Sequence, residues 1–371
     1  MAGYIGWLTA CPDGSGIDPA RLIAGNQVGN HLAAVLSGIM IAMSLFDVPR
    51  NAHIQTLWGP RLRSLPAVRR REEKLPLNDG DHLWLSFAGP TSHNDKPLVL
   101  LLHGLAGCHD SIYIRSLQAL LTARGVQSIA MNARGALRPN DRAQGYHAGE
   151  TGDIHQVIDH LHQCEPDADI VAAGFSLGGS RLLNYLAGYG LDGAAPHPAL
   201  KAAASVCVPL LLDQCAARME QGFSRIYRNH LIGELVKKLE IKKEYLRRID
   251  PLQAQRLDDL GDLRKLRSFR DFDGQVIAPL HGFTSADDYY SRCSAKGKLS
   301  SIQLPTLLIQ AADDPFMTDA VMPTAAELGP QMKLENRNGG HVGFVDGPLW
   351  RPRYWLEQRL PEFLLSVTAH T

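Results

Sequence analysis

A serine flanked by glycines is the pattern in this chain with the clearest chemical potential, and it lies in Gly174-Phe175-Ser176-Leu177-Gly178. A serine hydroxyl is a weak nucleophile at neutral pH. It needs an adjacent base and hydrogen-bond donors aimed at the oxyanion that forms when it attacks a carbonyl. With 34 glycines in the chain, the pentapeptide alone is only moderately specific. An apolar run precedes it and a helical pattern follows, which predicts the sharp strand-to-helix turn of a nucleophilic serine.

The base and the acid that such a serine requires are predicted from the last third of the chain. His341 lies in the sequence NGGHVGF, after the last predicted strand of the sheet. Asp313 and Asp314 follow the apolar run PTLLIQAA, and either carboxylate could orient the imidazole and stabilise the imidazolium. We prefer Asp314 because Pro315 fixes the turn behind it, and Asp313 stays an alternative. The order Ser, Asp, His is that of α/β-hydrolases.

Two backbone N–H groups are candidates for an oxyanion hole. The sequence HGLAG follows a predicted strand at the place where one donor is expected, and the residue after the nucleophile supplies the other. These positions are Leu105 and Leu177. An ordinary turn is the alternative interpretation of HGLAG.

Two other groupings compete for a chemical interpretation. His155, Asp159 and His162 have helical spacing and could hold a metal, but they flank the apolar stripe on what we expect to be a solvated face, and no metal site is predicted. His341 and Asp346 form H-x-x-x-x-D, a spacing associated with acyltransferases. It is weak here, because the chain has 15 histidines and chance produces such a spacing about once.

The segments that must position these residues alternate between apolar runs and helical patterns. Predicted strands cover 82–88, 97–103, 126–132, 169–175, 201–212, 305–310 and 332–336. Predicted helices begin near 111 and after the nucleophile, and cover 153–163, about 320–328 and 354–367. This alternation predicts a mostly parallel central sheet flanked by helices.

Between about residues 211 and 300 the strand pattern gives way to charged helical segments such as GELVKKLEIKKEYLRR. This region is predicted to be a helical cap inserted into the sheet and lying over the site. Its basic pairs, Lys237-Lys238 and Lys242-Lys243, alternate with glutamates, which favours a solvated helix face.

Composition and charge exclude several functional classes. The 38 basic residues balance 38 acidic ones, so no global field favours nucleic acid. The six cysteines are scattered and form no C-x-x-C pair, which favours reduced thiols, a cytoplasmic location and no structural zinc.

Residues 1–42 are predicted to be an extension outside the fold, with Met43 as an alternative start and 43–371 as the domain. The apolar run at 33–46 lies too deep, and too far from a basic residue, for a signal peptide.

A set of longer motifs links the chain to one family. From Asn51 onward these are NAHIQTLWG, HGLAG, YHAGETGD, GFSLGGS, GFSRIY, HGFTSADDYY, AADDPFM and GGHVGF. In these motifs the chain resembles the YheT-like branch of the α/β-hydrolases, bacterial relatives of the eukaryotic ABHD proteins. The resemblance implies a triad of Ser176, Asp314 and His341 and an esterase-like activity on acyl esters.

The expected function is therefore that of a serine hydrolase. It would cleave carboxylic esters with short- to medium-chain or lipid-like acyl groups through an acyl-enzyme on Ser176, without a metal or an organic cofactor. The expected partner is a small-molecule ester. We expect no nucleic acid and no integral membrane span, while contact with a membrane surface and the oligomeric state stay open. The alternatives are an acyltransferase, a thioesterase or amidase on the same residues, or a catalytically silent binding protein.

Overall fold

A twisted central sheet organises the protein in the computed structural model, which describes residues 47–91, 95–191 and 195–367. The predicted extension, 1–42, lies outside the described residues. Within those residues the sheet has eight strands: β1 Arg71–Pro76, β2 His82–Ala88, β3 Leu98–Leu102, β4 Ser128–Asn132, β5 Ile170–Phe175, β6 Leu200–Val206, β7 Thr306–Ala311 and β8 Met332–Arg337. A short ladder joins β9 Val345–Asp346 to β10 Arg353–Tyr354.

The predicted mostly parallel sheet is confirmed. The strand order is β1-β2-β4-β3-β5-β6-β7-β8. The pairs β1–β2 and β2–β4 are antiparallel, and all pairs from β4 to β8 are parallel. The carboxyl ends of the parallel strands therefore meet at one edge, where loops can bring their side chains together.

Helices lie on both faces of the sheet and in a long insertion. They are α1 Ala52–Leu62, α2 Ile112–Ala123, α3 Gly152–Cys164, α4 Leu177–Leu186, α5 Leu212–Met219, α6 Ser224–Ile249, α7 Pro251–Asp258, α8 Phe269–Phe272, α9 Ala278–His281, α10 Ala286–Cys293 and α11 Trp355–Val367. Apolar side chains of α3 and α4 pack on one face of the sheet, and those of α2 and α11 pack on the other. Because both faces are covered, β3 and β5 are buried at every position.

One predicted strand end and one predicted helix are wrong, each for a local reason. The strand predicted at 201–212 ends at Val206, because Cys207 adopts a φ of 50°, which no strand continues. The helix predicted near 320–328 is replaced by two 3₁₀ turns, Asp319–Val321 and Ala325–Glu327. Met322, which precedes Pro323, is extended with ψ 125°, as the proline ring requires of the residue before it.

The helical insertion between β6 and β7, residues 212–301, is called the cap below. It has an apolar interior of its own, which also includes Ala106 and Leu177 from the loops at the edge of the sheet. The predicted solvated lysine face is wrong in part, because Lys242 is only 4% exposed and Lys238 is partly buried, while Lys237 is exposed. None of the described helices is both long and apolar enough to cross a membrane.

Candidate active site

Ser176 occupies the turn between β5 and α4 with φ 52° and ψ −120°, a conformation that residues with side chains rarely adopt. The flanking glycines allow this turn because neighbouring backbone comes very close. A Cβ on Gly178 would lie 2.5 Å from the carbonyl oxygens of Leu102 and His103, and one on Gly174 would lie 2.6 Å from the oxygen of Gly178. The predicted strand-to-helix turn is therefore present, and it raises Ser176 above the carboxyl end of β5.

The structure brings Ser176, Asp314 and His341 into one series of hydrogen bonds. Ser176 Oγ lies 2.9 Å from Nε2 of His341, and Nδ1 of the same ring lies 2.8 Å from Oδ2 of Asp314. The Asp314 side chain is fully buried, and its other oxygen accepts a hydrogen bond from the N–H of Phe316 at 2.9 Å. The carboxylate can therefore fix the imidazole with Nε2 facing the serine hydroxyl, which is the arrangement that a general base needs.

Asp313, the alternative acid, has a different position. Its Oδ1 accepts hydrogen bonds from the N–H groups of Gly339 at 2.7 Å and Gly340 at 2.9 Å. These glycines directly precede His341, and Gly340 has a φ of 58°. Of the two adjacent carboxylates, one thus contacts the imidazole and the other shapes the loop that carries it.

Helix α1 supports the same loop from the opposite end of the chain. The amide group of Gln55 donates to the carbonyl of Val345 at 2.9 Å and accepts from the N–H of Val345 at 2.8 Å. Thr56 Oγ1 accepts a hydrogen bond from the N–H of His341. Sequence reasoning assigned no role to these residues, although the motif NAHIQTLWG contains both of them.

The beginning of the cap is fastened to the loop that carries Asp314. Ser224 Oγ donates to the carbonyl of Pro315 at 2.6 Å. The ring of Tyr227 packs against Phe316 at 5.0 Å between centroids, and Phe316 stacks on His341 at 4.1 Å. Ser224 and Tyr227 belong to the motif GFSRIY, which was the signal in the sequence that could have identified this contact.

Cys207 places a buried thiol behind the imidazole and the carboxylate. Its Sγ accepts a hydrogen bond from the N–H of Val342 at 3.3 Å. It also lies within 4.8 Å of the Asp314 carboxylate and of a ring nitrogen of His341. Burial, followed by the neighbouring Asp314, raises the pKa of the Cys207 thiol well above its usual value. The thiol therefore stays protonated, and it is a poor metal ligand and a poor nucleophile.

A second cluster, Asp81, His82 and Asp141, has side chains close enough to share an ion. Its carboxylates already have protein partners. Asp81 accepts from Arg134 at 3.1 Å and from Asn140, and Asp141 lies 2.9 Å from Nδ1 of His82. These three side chains therefore belong to an ion-paired network beneath the loop after β4.

Asp346, which completes the H-x-x-x-x-D spacing with His341, forms an ion pair with Arg353 at 3.0 Å.

The two predicted oxyanion donors lie in segments next to Ser176. Leu177 is the first residue of α4, where N–H groups have no partner within the helix. The loop that carries Leu105 passes directly over Ser176, since a Cβ on Gly104 would lie 3.1 Å from the Cβ of Ser176. Both predicted donors therefore belong to segments that contact Ser176.

The N–H groups on either side of Leu105 already have acceptors. Gly104 donates to the hydroxyl of Tyr113 at 2.9 Å, and Ala106 donates to the hydroxyl of Tyr146 at 2.9 Å. These bonds immobilise the backbone on both sides of Leu105. The role predicted for the Leu105 N–H requires such immobility, because a fixed donor can stabilise a developing negative charge without reorganisation.

Comparison with known proteins places this chain in a family. The model of the alpha/beta hydrolase fold family matches residues 97–348. The Escherichia coli (strain K12) protein named "Putative esterase YheT" is 36% identical over 326 residues, which are 85% of this chain and 91% of that protein. The phospholipase ABHD3 of Bos taurus is 29% identical over 325 residues, 85% of this chain and 76% of the relative.

A solved structure agrees with the fold. The Pyrococcus furiosus esterase Pf2001 superposes with a TM-score of 0.50 at 16% sequence identity, covering 82% of this chain and 96% of that one. At this identity the likeness concerns the fold alone.

Proposed function

We propose, from the premise that this chain belongs to the α/β-hydrolase family and to its YheT-like branch, that it is a serine carboxylesterase with Ser176 as its nucleophile. Membership of the family, together with relatives named as an esterase and a phospholipase, supports a hydrolase of esters. The observation that carries the finer proposal is the hydrogen-bonded series from Asp314 through His341 to Ser176.

The proposed reaction proceeds in two acyl transfers. His341 Nε2 takes the hydroxyl proton as Ser176 Oγ attacks the ester carbonyl, and the same nitrogen then gives that proton to the departing alcohol. Asp314 holds Nδ1–H and stabilises the imidazolium without taking the proton. A water molecule, deprotonated by His341, then attacks the acyl-enzyme and releases the acid and the free serine. In both steps, the N–H groups of Leu105 and Leu177 are the proposed donors to the oxyanion.

The apolar interior of the cap supports our inference about the acyl group of the substrate. Leu105 and Leu177 belong to the same apolar cluster as the interior of the cap, which includes Ile232, Leu235 and Leu246. An acyl chain attached to Ser176 would therefore extend towards apolar side chains. We infer that short- to medium-chain or lipid-like acyl esters are the substrates, as small molecules bound beneath the cap.

The experiment combines labelling with a chain-length series. A fluorophosphonate probe is expected to label the wild type, and p-nitrophenyl esters of increasing chain length are expected to be hydrolysed. Ser176→Ala should abolish labelling and lower kcat by at least about a thousandfold. Ser180→Ala is the matched control, because it lies in the same motif, and its buried hydroxyl has no partner among the described residues. Labelling that persists in Ser176→Ala, or a wild type that is neither labelled nor active, would refute the proposal.

A further inference from the structure

Ala106 has an unusual backbone conformation beside the nucleophile. Its φ of 58° lies in the left-handed region, which residues with a side chain seldom adopt. Side chains from two other segments hold its peptide groups. Its N–H donates to the hydroxyl of Tyr146 at 2.9 Å, and its carbonyl accepts from Nζ of Lys238 at 3.0 Å. The conformation of Ala106 therefore depends on a residue of the cap.

Lys238 joins helix α6 of the cap to two loops at the edge of the sheet. Besides Ala106, its ammonium donates to the carbonyl of Ala136 at 2.9 Å. One helical turn later, Nζ of Lys242 donates to the carbonyls of Ala143 at 2.8 Å and Gln144 at 2.7 Å. Both lysines thus bind backbone carbonyls from the same face of α6, but only Lys238 reaches the loop after β3.

The bonds to this loop surround the N–H of Leu105 in a specific way. That N–H belongs to the peptide plane between Gly104 and Leu105. The preceding plane is anchored by Tyr113 at the N–H of Gly104, and the next one by Tyr146 at the N–H of Ala106. The plane after that is anchored by the bond from Lys238 to the carbonyl of Ala106. The Ala106–Gly107 plane also carries the N–H of Gly107, which donates to the carbonyl of Gly104 at 3.1 Å. That carbonyl lies in the same rigid plane as the Leu105 N–H, so the bond from Lys238 helps to fix the direction of this N–H.

We propose that Lys238 is a positioning residue of the oxyanion hole, holding the loop after β3 in the conformation that directs the Leu105 N–H at the oxyanion. The inference rests on the proposed esterase function and adds a role for the cap. The donor pair of Leu105 and Leu177 is complete only while α6 is seated against the sheet. The cap therefore contributes to the transition state as well as to the substrate pocket.

The test compares Lys238→Met with Lys242→Met. Both replacements keep the length of the side chain and remove an ammonium that binds two carbonyls of a loop. In Lys238→Met we expect kcat for p-nitrophenyl butyrate to fall roughly tenfold to a hundredfold. This loss is smaller than the ~10²–10³-fold decrease in kcat that follows removal of a whole oxyanion donor. KM should stay within about threefold, because an oxyanion donor binds the transition state more strongly than the ester. Lys242→Met should keep kcat within about threefold.

Two further measurements separate positioning from stability. A trifluoromethyl ketone forms a tetrahedral oxyanion adduct with a serine. Its affinity for Lys238→Met should fall by the same factor as kcat/KM. Lys238→Arg, whose guanidinium can donate to the same carbonyls, should recover at least part of the lost kcat. If Lys238→Met does not fold, Tyr146→Phe, which removes the other anchor of Ala106, should show the same loss of kcat at unchanged KM.

The outcomes are distinguishable. A folded Lys238→Met with kcat within about twofold of wild type, or an equal loss of kcat in Lys242→Met, overturns the inference and leaves the esterase proposal intact. If Lys238→Met does not fold and Tyr146→Phe keeps its kcat, the inference is overturned as well. A wild type that hydrolyses no ester and reacts with no fluorophosphonate refutes the proposed function, and the role of Lys238 with it.

Discussion

The N–H of His341 donates a hydrogen bond of 2.9 Å to the hydroxyl of Thr56, across 285 positions of the chain. Thr56 lies in α1, which precedes the sheet, and its hydroxyl also donates to the carbonyl of Ala52 at 2.7 Å. The proposed base is thus held by a helix that contributes no chemical group to the reaction.

Removal of this contact should affect catalysis more than substrate binding. Thr56→Val keeps the shape of the side chain but leaves the N–H of His341 without its acceptor. We expect kcat to fall about tenfold or more at nearly constant KM, because small displacements of a catalytic group are costly. Thr122→Val, at an exposed position of α2, is the control and should behave like wild type. Unchanged kcat in Thr56→Val would show that α1 does not position the base.

The two adjacent aspartates should respond differently to the same replacement. Asp314→Asn is expected to lower kcat by about 10⁴, because an amide favours the wrong tautomer of the imidazole. Asp313→Asn should keep kcat within about threefold, since the amide oxygen can still accept from the N–H groups of Gly339 and Gly340. Steady-state kinetics on one ester decides this. A larger loss in Asp313→Asn would reverse the assignment of the acid.

Gly178 should not tolerate even a methyl group. In Gly178→Ala the new Cβ would lie 2.5 Å from two backbone oxygens, so the turn at Ser176 or the end of β3 must move. We expect a loss of several kcal/mol in the free energy of unfolding, together with loss of fluorophosphonate labelling. Gly233→Ala in α6 meets nothing within 4 Å, and should stabilise the protein by about 0.5–1 kcal/mol. Urea unfolding of both variants measures these changes in stability. A Gly178→Ala variant as stable as wild type would contradict the prediction.

Arg134 should be essential for stability. Its guanidinium binds the carboxylates of Asp79, Asp81 and Asp153, and the last two are almost completely buried. Arg134→Met leaves these charges without their partner, and should cost about 3–5 kcal/mol in the free energy of unfolding.

The control for this prediction is Arg248→Met. Arg248 pairs with Glu244 at 3.0 Å on the exposed surface of α6, where the loss should stay below about 1 kcal/mol. Equal effects of the two replacements would contradict the importance assigned to the buried network.

The carboxyl group of Asp273 in the cap should make stability depend on pH. Burial raises its pKa to about 7, although the hydroxyl of Tyr290 donates to it at 2.7 Å. In the unfolded chain the pKa is about 3.9, so the folded protein keeps a proton that the unfolded chain releases. The stabilisation by protonated Asp273 is therefore complete below about pH 4, and is lost as the pH rises to about 7.

Asp273→Asn removes this dependence, because the amide cannot ionise and its oxygen still accepts from Tyr290. We expect the variant to exceed wild type by at least about 1 kcal/mol at pH 8 and to match it near pH 4. Urea unfolding between pH 4 and 8 measures the difference. A constant difference over this range would contradict the raised pKa.

The parallel sheet could be predicted because strands buried on both faces are continuous apolar runs, as β3 and β5 show. Ser176, Asp314 and His341 could be chosen from their places after such runs, and the structure brings them together. Their catalytic roles remain predictions.

Contacts between distant segments could not be predicted in this way. The polar pattern of α6 identifies Lys242 as charged, but it does not reveal that a loop 98 positions away offers carbonyl acceptors for its ammonium. Nothing in the sequence around Thr56 distinguishes it from other helical threonines, and its contact with His341 is visible only in the folded structure. Where Pro323 interrupts a helical pattern, in contrast, the sequence did contain the signal.

The distance along the chain between Ser176 and His341 also has a consequence for synthesis. The proposed nucleophile and its base are separated by 165 positions. On the ribosome, β5 and the turn that follows are translated long before the imidazole. A nascent chain would therefore expose a serine that cannot be activated, and it would be inert towards esters. Catalytic competence would arise late in translation, when β8 joins the sheet and the loop behind it reaches α1.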